Sequence, residues 1–299
     1  MVSNICLDQQ GYALAFDDFF TQIRRGFDLV PASHGALFVR APQLEATGLV
    51  RHGSSTRKGG ISKGCYETLN LSWDRTTSEE ETRINVAIAA TAMGIPVEDL
   101  VIVNGVHGTD IYFAKKEDRG NGFFCRYERR EKTFDGLITN DPDVALNVIH
   151  ADCTPVFYLD PVHKAIGLCH AGWRGTVDGI VGIMVDRMQK EFGTDPQKLI
   201  AAVGPNLSRK HFQVSKDVID AIEQNFPPGM NFFEVDPSEI GKYKADLDRL
   251  AVFQLYEKGL RAENITVSDW CTFENEDLFY SYRRQGWEGG AMNSFFQLK

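Results

Sequence analysis

Short apolar runs broken by polar, glycine-rich turns recur along this chain, and they set its predicted elements. Residues 144–149 form one such run, which ends in His150-Ala151-Asp152-Cys153. A second buried-type segment continues to the turn at Asp160-Pro161. A third, residues 165–169, runs into His170-Ala171-Gly172-Trp173-Arg174-Gly175. Apolar runs of about four to eight residues between turn signals predict strands. The same pattern predicts strands at 48–52, 101–103, 199–203 and 265–268, and the start of a central β region at 135–140.

Helical spacing is confined to fewer places. Residues 79–93 open with acidic residues, which suit a helix N-terminus, and Gly94 can end them. After residue 175, Val177, Ile180, Val181, Met184 and Met188 share one face, with Thr176 as a predicted N-cap and Gly193 as a stop. In residues 245–258, Leu247, Leu250, Ala251 and Leu255 do the same. Residues 15–27 mix acidic, aromatic and basic side chains and predict a short helix or an edge strand. They belong to a stretch, 1–30, that reads as a structural or oligomer-contact extension ahead of a domain over 31–299. Residues 115–132 are highly charged and predict an exposed hairpin or excursion, and residues 280–284 a strand or turn.

Length and composition narrow this picture. The 299 residues suit one large domain or two ordinary ones, and no repeat or linker divides them. We therefore expect a single α+β domain with mixed sheets. With 43% hydrophobic and 24% charged residues the chain is of globular type. A net charge of −9 argues against a general nucleic-acid partner, though a local cation can still hold a small anion. The six cysteines have no regular spacing and no CxxC pair. The first residues lack the basic and apolar regions of a signal peptide, and no run approaches the roughly 20 apolar residues of a membrane span. These features predict a reduced, cytoplasmic protein with no membrane contact, and they leave the oligomeric state open.

The polar turns carry the candidate chemistry. Cys153 and His170 stand at predicted strand ends, and His107 sits in the turn Gly105-Val106-His107-Gly108. Two imidazoles and a thiolate are suitable Zn²⁺ ligands, and three protein ligands leave a fourth position open. Asp152 is placed either to shuttle protons or to orient a ligating histidine. The loop Ser54–Gly60, with Arg57 beside Lys58, has the composition to wrap an oxyanion. Arg174 and the predicted helix start at Gly175 offer charge and free amides to a phosphate or carboxylate. Asn70 lines the site or fixes a turn. Strand alternation turns Cys169 away from His170, so Cys169 and His150 read as structural.

The motifs Val106-His107-Gly108-Thr109-Asp110, Ala151-Asp152-Cys153-Thr154-Pro155-Val156 and the hexapeptide 170–175 stand in the order found in a known family. Residues 54–71, 135–140, 204–208, 269–272 and 279–284 extend the likeness. The chain resembles the laccase-domain (polyphenol oxidase) family, whose bacterial members are also described as purine nucleoside phosphorylases. The resemblance implies a layered α/β/β/α sandwich and a metal triad at His107, Cys153 and His170. It further implies Arg57 as a site-lining residue, with purine nucleosides and phosphate as small-molecule partners. Phosphorolysis of adenosine, inosine, guanosine or methylthioadenosine, and deamination of adenosine, are the implied reactions. The chain departs from the pattern at Gly105, where relatives have Gln, at Gly290, where they have Arg, and in residues 72–80. Copper-dependent phenol oxidation is the main alternative, although the seven histidines form no His-x-His pair of the kind a multicopper cluster needs. A metal-free Cys153–His170 thiol hydrolase, with the glycine-rich turn as oxyanion hole, is the other.

Overall fold

Side chains alternate across each strand, and in this protein that alternation sorts them into three apolar layers. The structure is a computed structural model that describes residues 9–124 and 133–299. One sheet has seven strands in the order Arg24–Arg25, Ile265–Val267, Ile200–Val203, Thr154–Asp160, Ala165–Ala171, Gly136–Thr139 and Ile111–Phe113. A second has six: Asp28–Pro31, Leu37–Arg40, Val50–Ser55, Met292–Leu298, Ala145–His150 and Leu100–Asn104. Each sheet contains both parallel and antiparallel pairs.

The inner faces of the two sheets meet through Leu146, Val148, Phe157, Leu159, Ile166, Leu168 and Phe296. Side chains of this size each contribute roughly 1.5–3 kcal/mol by leaving water. Their alternating neighbours face outward. Val156, Tyr158, Ala165 and Cys169 pack beneath the helices Ile180–Phe192 and Leu247–Glu257. On the other side, Ala145, Ile149 and Phe295 pack beneath the helix Glu79–Ala92. The layers are therefore helix, sheet, sheet, helix, the α/β/β/α sandwich that the resemblance implied. Cys169 faces the helical layer, as alternation required.

Several local expectations hold in detail. Ser78 caps the helix Glu79–Ala92 by accepting the Glu81 amide, three acidic residues fill its first turn, and Gly94 follows at φ 70°. Residues near the N-terminus supply both predicted forms in succession. The helix Gln9–Gln22 buries Phe16 against Phe253, with ring centroids 5.1 Å apart, and Arg24–Arg25 then pairs in parallel with Ile265–Val267.

Others need correction. The helix expected from Thr176 is two helices, Trp173–Val177 and Ile180–Phe192, because Gly179 takes φ 95° between them. Thr176 is thus interior to the first rather than an N-cap, while Gly193 ends the second as expected. Residues 115–124 form an excursion rather than a hairpin, and only part of it is exposed. Gly120 donates to Leu100, Ile102 donates to Asn121, and Phe123 is buried beside Trp73. The rest of that charged stretch, 125–132, lies outside the described residues. Of the strand or turn expected at 280–284, the structure shows a single helical turn, Tyr282–Gln285, capped by Ser281. No helix among the described residues is long and apolar enough to cross a membrane.

Candidate metal centre and its cavity

Strand pairing converges the three predicted ligands. In the antiparallel pair of Thr154–Asp160 with Ala165–Ala171, Thr154 lies opposite Ala171 and Pro155 opposite His170. Cys153, one step before this strand, is thereby brought beside the histidine. The parallel neighbours Leu100–Asn104 and Ala145–His150 end at the same edge, with Asn104 opposite Ile149, so the turn bearing His107 arrives there too. The ligating atoms of His107, Cys153 and His170 all lie within 4.8 Å of one another. Cys153 Sγ is 3.9 Å from His107 Nε2, and the two imidazoles stand 5.2 Å apart at 72°.

A carboxylate outside the predicted set holds this arrangement. Asp135 is fully buried, and its Oδ1 lies 2.9 Å from His170 Nδ1. The same carboxylate accepts the backbone N–H groups of Val106, His107 and Gly108 at 3.1, 3.0 and 2.8 Å. It therefore orients one imidazole directly and the other through its loop. With Nδ1 engaged, His170 has Nε2 left for the thiol side. Burial opposes charge on Asp135, yet His170 and the amides outweigh it and hold the carboxyl below its usual range. Burial likewise opposes charge on Cys153 and His170. Their proximity to each other prevails, lowering the thiol and raising the imidazole, which also gains from Asp135.

The turns are built for close approach. A Cβ on Gly172 would lie 2.5 Å from His107 Nδ1, and one on Gly105 would lie 2.0 Å from His170 Nδ1. A Gln at position 105 is therefore incompatible with this local backbone. Gly175 is buried within the helix Trp173–Val177, and a Cβ there would lie 2.6 Å from the Gly108 carbonyl.

Asp152 borders the same space, but its carboxylate is heavily engaged. It accepts from Thr272 Oγ1 at 2.5 Å, Ser281 Oγ at 3.0 Å and the Arg283 amide at 2.6 Å. It thus ties the C-terminal segment to the turn before Cys153, and Asp135 is the residue that orients His170. His150 Nε2 pairs with Ser294 Oγ at 2.9 Å, and burial drives its pKa down to about 3, in line with a structural role.

The triad forms part of the wall of a cavity of about 930 Å³. Arg174 lines its exposed rim, stacked 4.3 Å from the Trp173 ring. Arg57 and Asn70 do not line it. The Arg57 guanidinium donates to the Glu67 and Glu276 carbonyls and stacks on Tyr280. Asn70 is fully buried, donating to the Arg75 carbonyl and accepting from Ser72 and Ala291. Sequence reasoning missed Arg75, Phe212, Tyr282 and Trp287, all of which do line it. Asp135 carried no signal in the sequence beyond opening a predicted β region; it is the pairing of Gly136 with Cys169 that brings it next to His170.

Comparison with known proteins adds to this geometry. Residues 51–299 match the family model described as multi-copper polyphenol oxidoreductase laccase. A protein of Geobacillus stearothermophilus named purine nucleoside phosphorylase YlmD is 33% identical over 265 residues, covering 85% of this chain and 95% of its own. The protein of that name from Bacillus subtilis is 32% identical over 247 residues, covering 83% and 88%. The crystal structure of YlmD from G. stearothermophilus superposes with a TM-score of 0.82 at 31% identity, covering 91% of this chain and 98% of that one.

Proposed function

The chain belongs to the multi-copper polyphenol oxidoreductase laccase family, and from that premise we propose a zinc-dependent purine nucleoside phosphorylase acting in the cytoplasm. The observation that carries this reading is the convergence of two imidazoles and a thiol on a cavity large enough for a nucleoside. The donor set fits zinc. A tetrahedral ion with ordinary Zn–S and Zn–N bonds holds its sulfur and nitrogen roughly 3.6 Å apart, close to the 3.9 Å between Cys153 and His107. Names of relatives such as YlmD supply the purine nucleoside class.

When bound, zinc supplies Lewis acidity at a position open to the cavity. The chain's own groups do the rest. Asp135 fixes the His170 ring and the His107 loop, so the ligand set needs little reorganisation. In phosphorolysis a phosphate oxygen bonds to C1′ as the C1′–N9 bond breaks. The electron pair leaves with the purine, which takes up the phosphate proton to give free base and ribose 1-phosphate. Arginines on the cavity wall are suited to hold the anion. Deamination of adenosine in the same cavity, in which water adds at C6 and the C6–N6 bond breaks to release ammonia and leave inosine, is the second reaction we assign.

Two other chemistries compete. Copper-dependent phenol oxidation in the multicopper manner needs a histidine-rich cluster beside a separate copper site. Among the described residues this triad is the one such group. A Cys153–His170 hydrolase would use the lowered thiol pKa but would give His107 no part.

The test is chromatographic. Purified, metal-analysed protein is incubated with inosine or adenosine, with and without phosphate, beside His170→Ala. Phosphate-dependent release of free base, lost in the variant, is expected. Bound zinc with neither base nor ammonia released would contradict the assignment.

A further inference from the structure

Arg75 lies in the loop that precedes the helix Glu79–Ala92, and its backbone is fixed at both ends. Its amide donates to Ser72 Oγ at 3.1 Å, and its carbonyl accepts from Asn70 Nδ2 at 2.6 Å. The side chain points into the cavity that holds the metal triad. There its Nη1 is buried and meets no hydrogen-bond acceptor among the described residues. Asp152 and Cys153 are its anionic neighbours, but Thr272, Ser281 and Arg283 already occupy the Asp152 carboxylate. The Tyr282 ring, 5.8 Å from the guanidinium carbon, borders its other side.

A buried guanidinium donor without an acceptor is unfavourable unless something brings one. The planar fork of arginine matches a tetrahedral oxyanion with two parallel hydrogen bonds. Arg174 lines the same cavity from its exposed rim. Two other cations line it but are engaged, Arg283 Nη1 with the His211 and Gln213 carbonyls and Lys242 Nζ with Ser215 Oγ. Arg57 spends its donors on backbone carbonyls outside the cavity. We infer that Arg75 is the principal anchor for inorganic phosphate, with Arg174 as a weaker contact at the mouth. The inference rests on the phosphorylase reading for its substrate, though the anion site can be tested without turnover.

Inorganic phosphate is titrated calorimetrically into zinc-loaded wild-type, Arg75→Gln and Arg75→Lys proteins. The KM values for phosphate and for inosine are measured in parallel, with zinc content and melting temperature as controls. Loss of charge-assisted hydrogen bonds predicts phosphate binding roughly 10- to 100-fold weaker in Arg75→Gln. Zinc content and inosine KM should stay near wild type, and Arg75→Lys should fall between. If Arg75→Gln does not fold, the lysine variant gives the same test. Unchanged phosphate affinity in either folded variant overturns the proposal, as does a loss of zinc that accounts for the whole effect. Phosphate that binds through Arg75 without phosphate-dependent cleavage would support the site and remove the phosphorylase reading. No phosphate binding by the wild type would overturn both.

Discussion

His52 and His170 are equally hidden from water, at 1% and 4% exposure, yet they belong to opposite kinds of place. His52 sits in the sandwich interior, edge-on to Phe157 and Phe296, with Nε2 accepting the Ala41 amide at 2.9 Å. Burial, helped by Arg40, drives its pKa down to about 3, so it stays neutral. Around His170, a buried carboxylate and a thiol override the same burial and push its pKa up. Burial alone therefore does not separate a structural histidine from a candidate metal ligand. The acceptor behind the ring and the group in front of it do.

The strongest way to break this contrast is at the candidate ligands. Cys153→Ala is expected to remove nucleoside turnover by roughly 10³-fold or more while leaving a folded protein, as read by product analysis and circular dichroism. The interior should behave in reverse. His52→Ala leaves a cavity and an unpaired Ala41 amide, for a loss of about 2–4 kcal/mol in urea unfolding. Turnover per folded molecule should survive. Retained turnover in the first case, or a dead but stable protein in the second, would erase the distinction.

The next test separates orientation from ligation. Asp135→Asn keeps the size of the side chain but removes the charge behind His170, and should weaken zinc binding about 10- to 100-fold. Competition with a chromophoric chelator measures this. An affinity equal to wild type would show that Asp135 serves the loop fold alone.

The smallest expected effect is on acid stability, and it follows from His52. Its folded-state pKa, about 3, lies below the ordinary value of 6.5, so the unfolded chain takes the proton first. Its contribution is complete above pH about 6.5 and is lost as the pH falls toward 3, at roughly 1.4 kcal/mol per pH unit. Between pH 7 and 5, unfolding curves should show that slope from His52 together with a like one from the equally buried His150, and His52→Gln should remove the His52 share.

Much of this contrast was legible in the sequence. Short apolar runs between turn signals placed the central strands, and the polar turns at their ends, together with the family resemblance, singled out His107, Cys153 and His170. Alternation also assigned Cys169 to the other face. The residues that complete the site were not legible, for physical reasons. Asp135 acts through strand pairing across 35 residues, counted from 135 to 170, and in the sequence it only began a strand. Arg75 sits in an aperiodic loop whose direction is set by Asn70 and Ser72. Arg57 drew attention by its glycine-rich surroundings, but nearby carbonyls claim its donors. Tyr282 and Trp287 reach the cavity from the C-terminal segment, tied in place by the Asp152 network. Local composition reports a loop's capacity, whereas tertiary contacts decide where that capacity points.

The most direct test of the account is the metal itself. Elemental analysis of purified wild-type protein, beside Cys153→Ala and His107→Ala, counts ions per chain without assuming a substrate. Close to one zinc per wild-type chain and little in either variant are expected. Several coppers per chain, or a metal content indifferent to both substitutions, would contradict this.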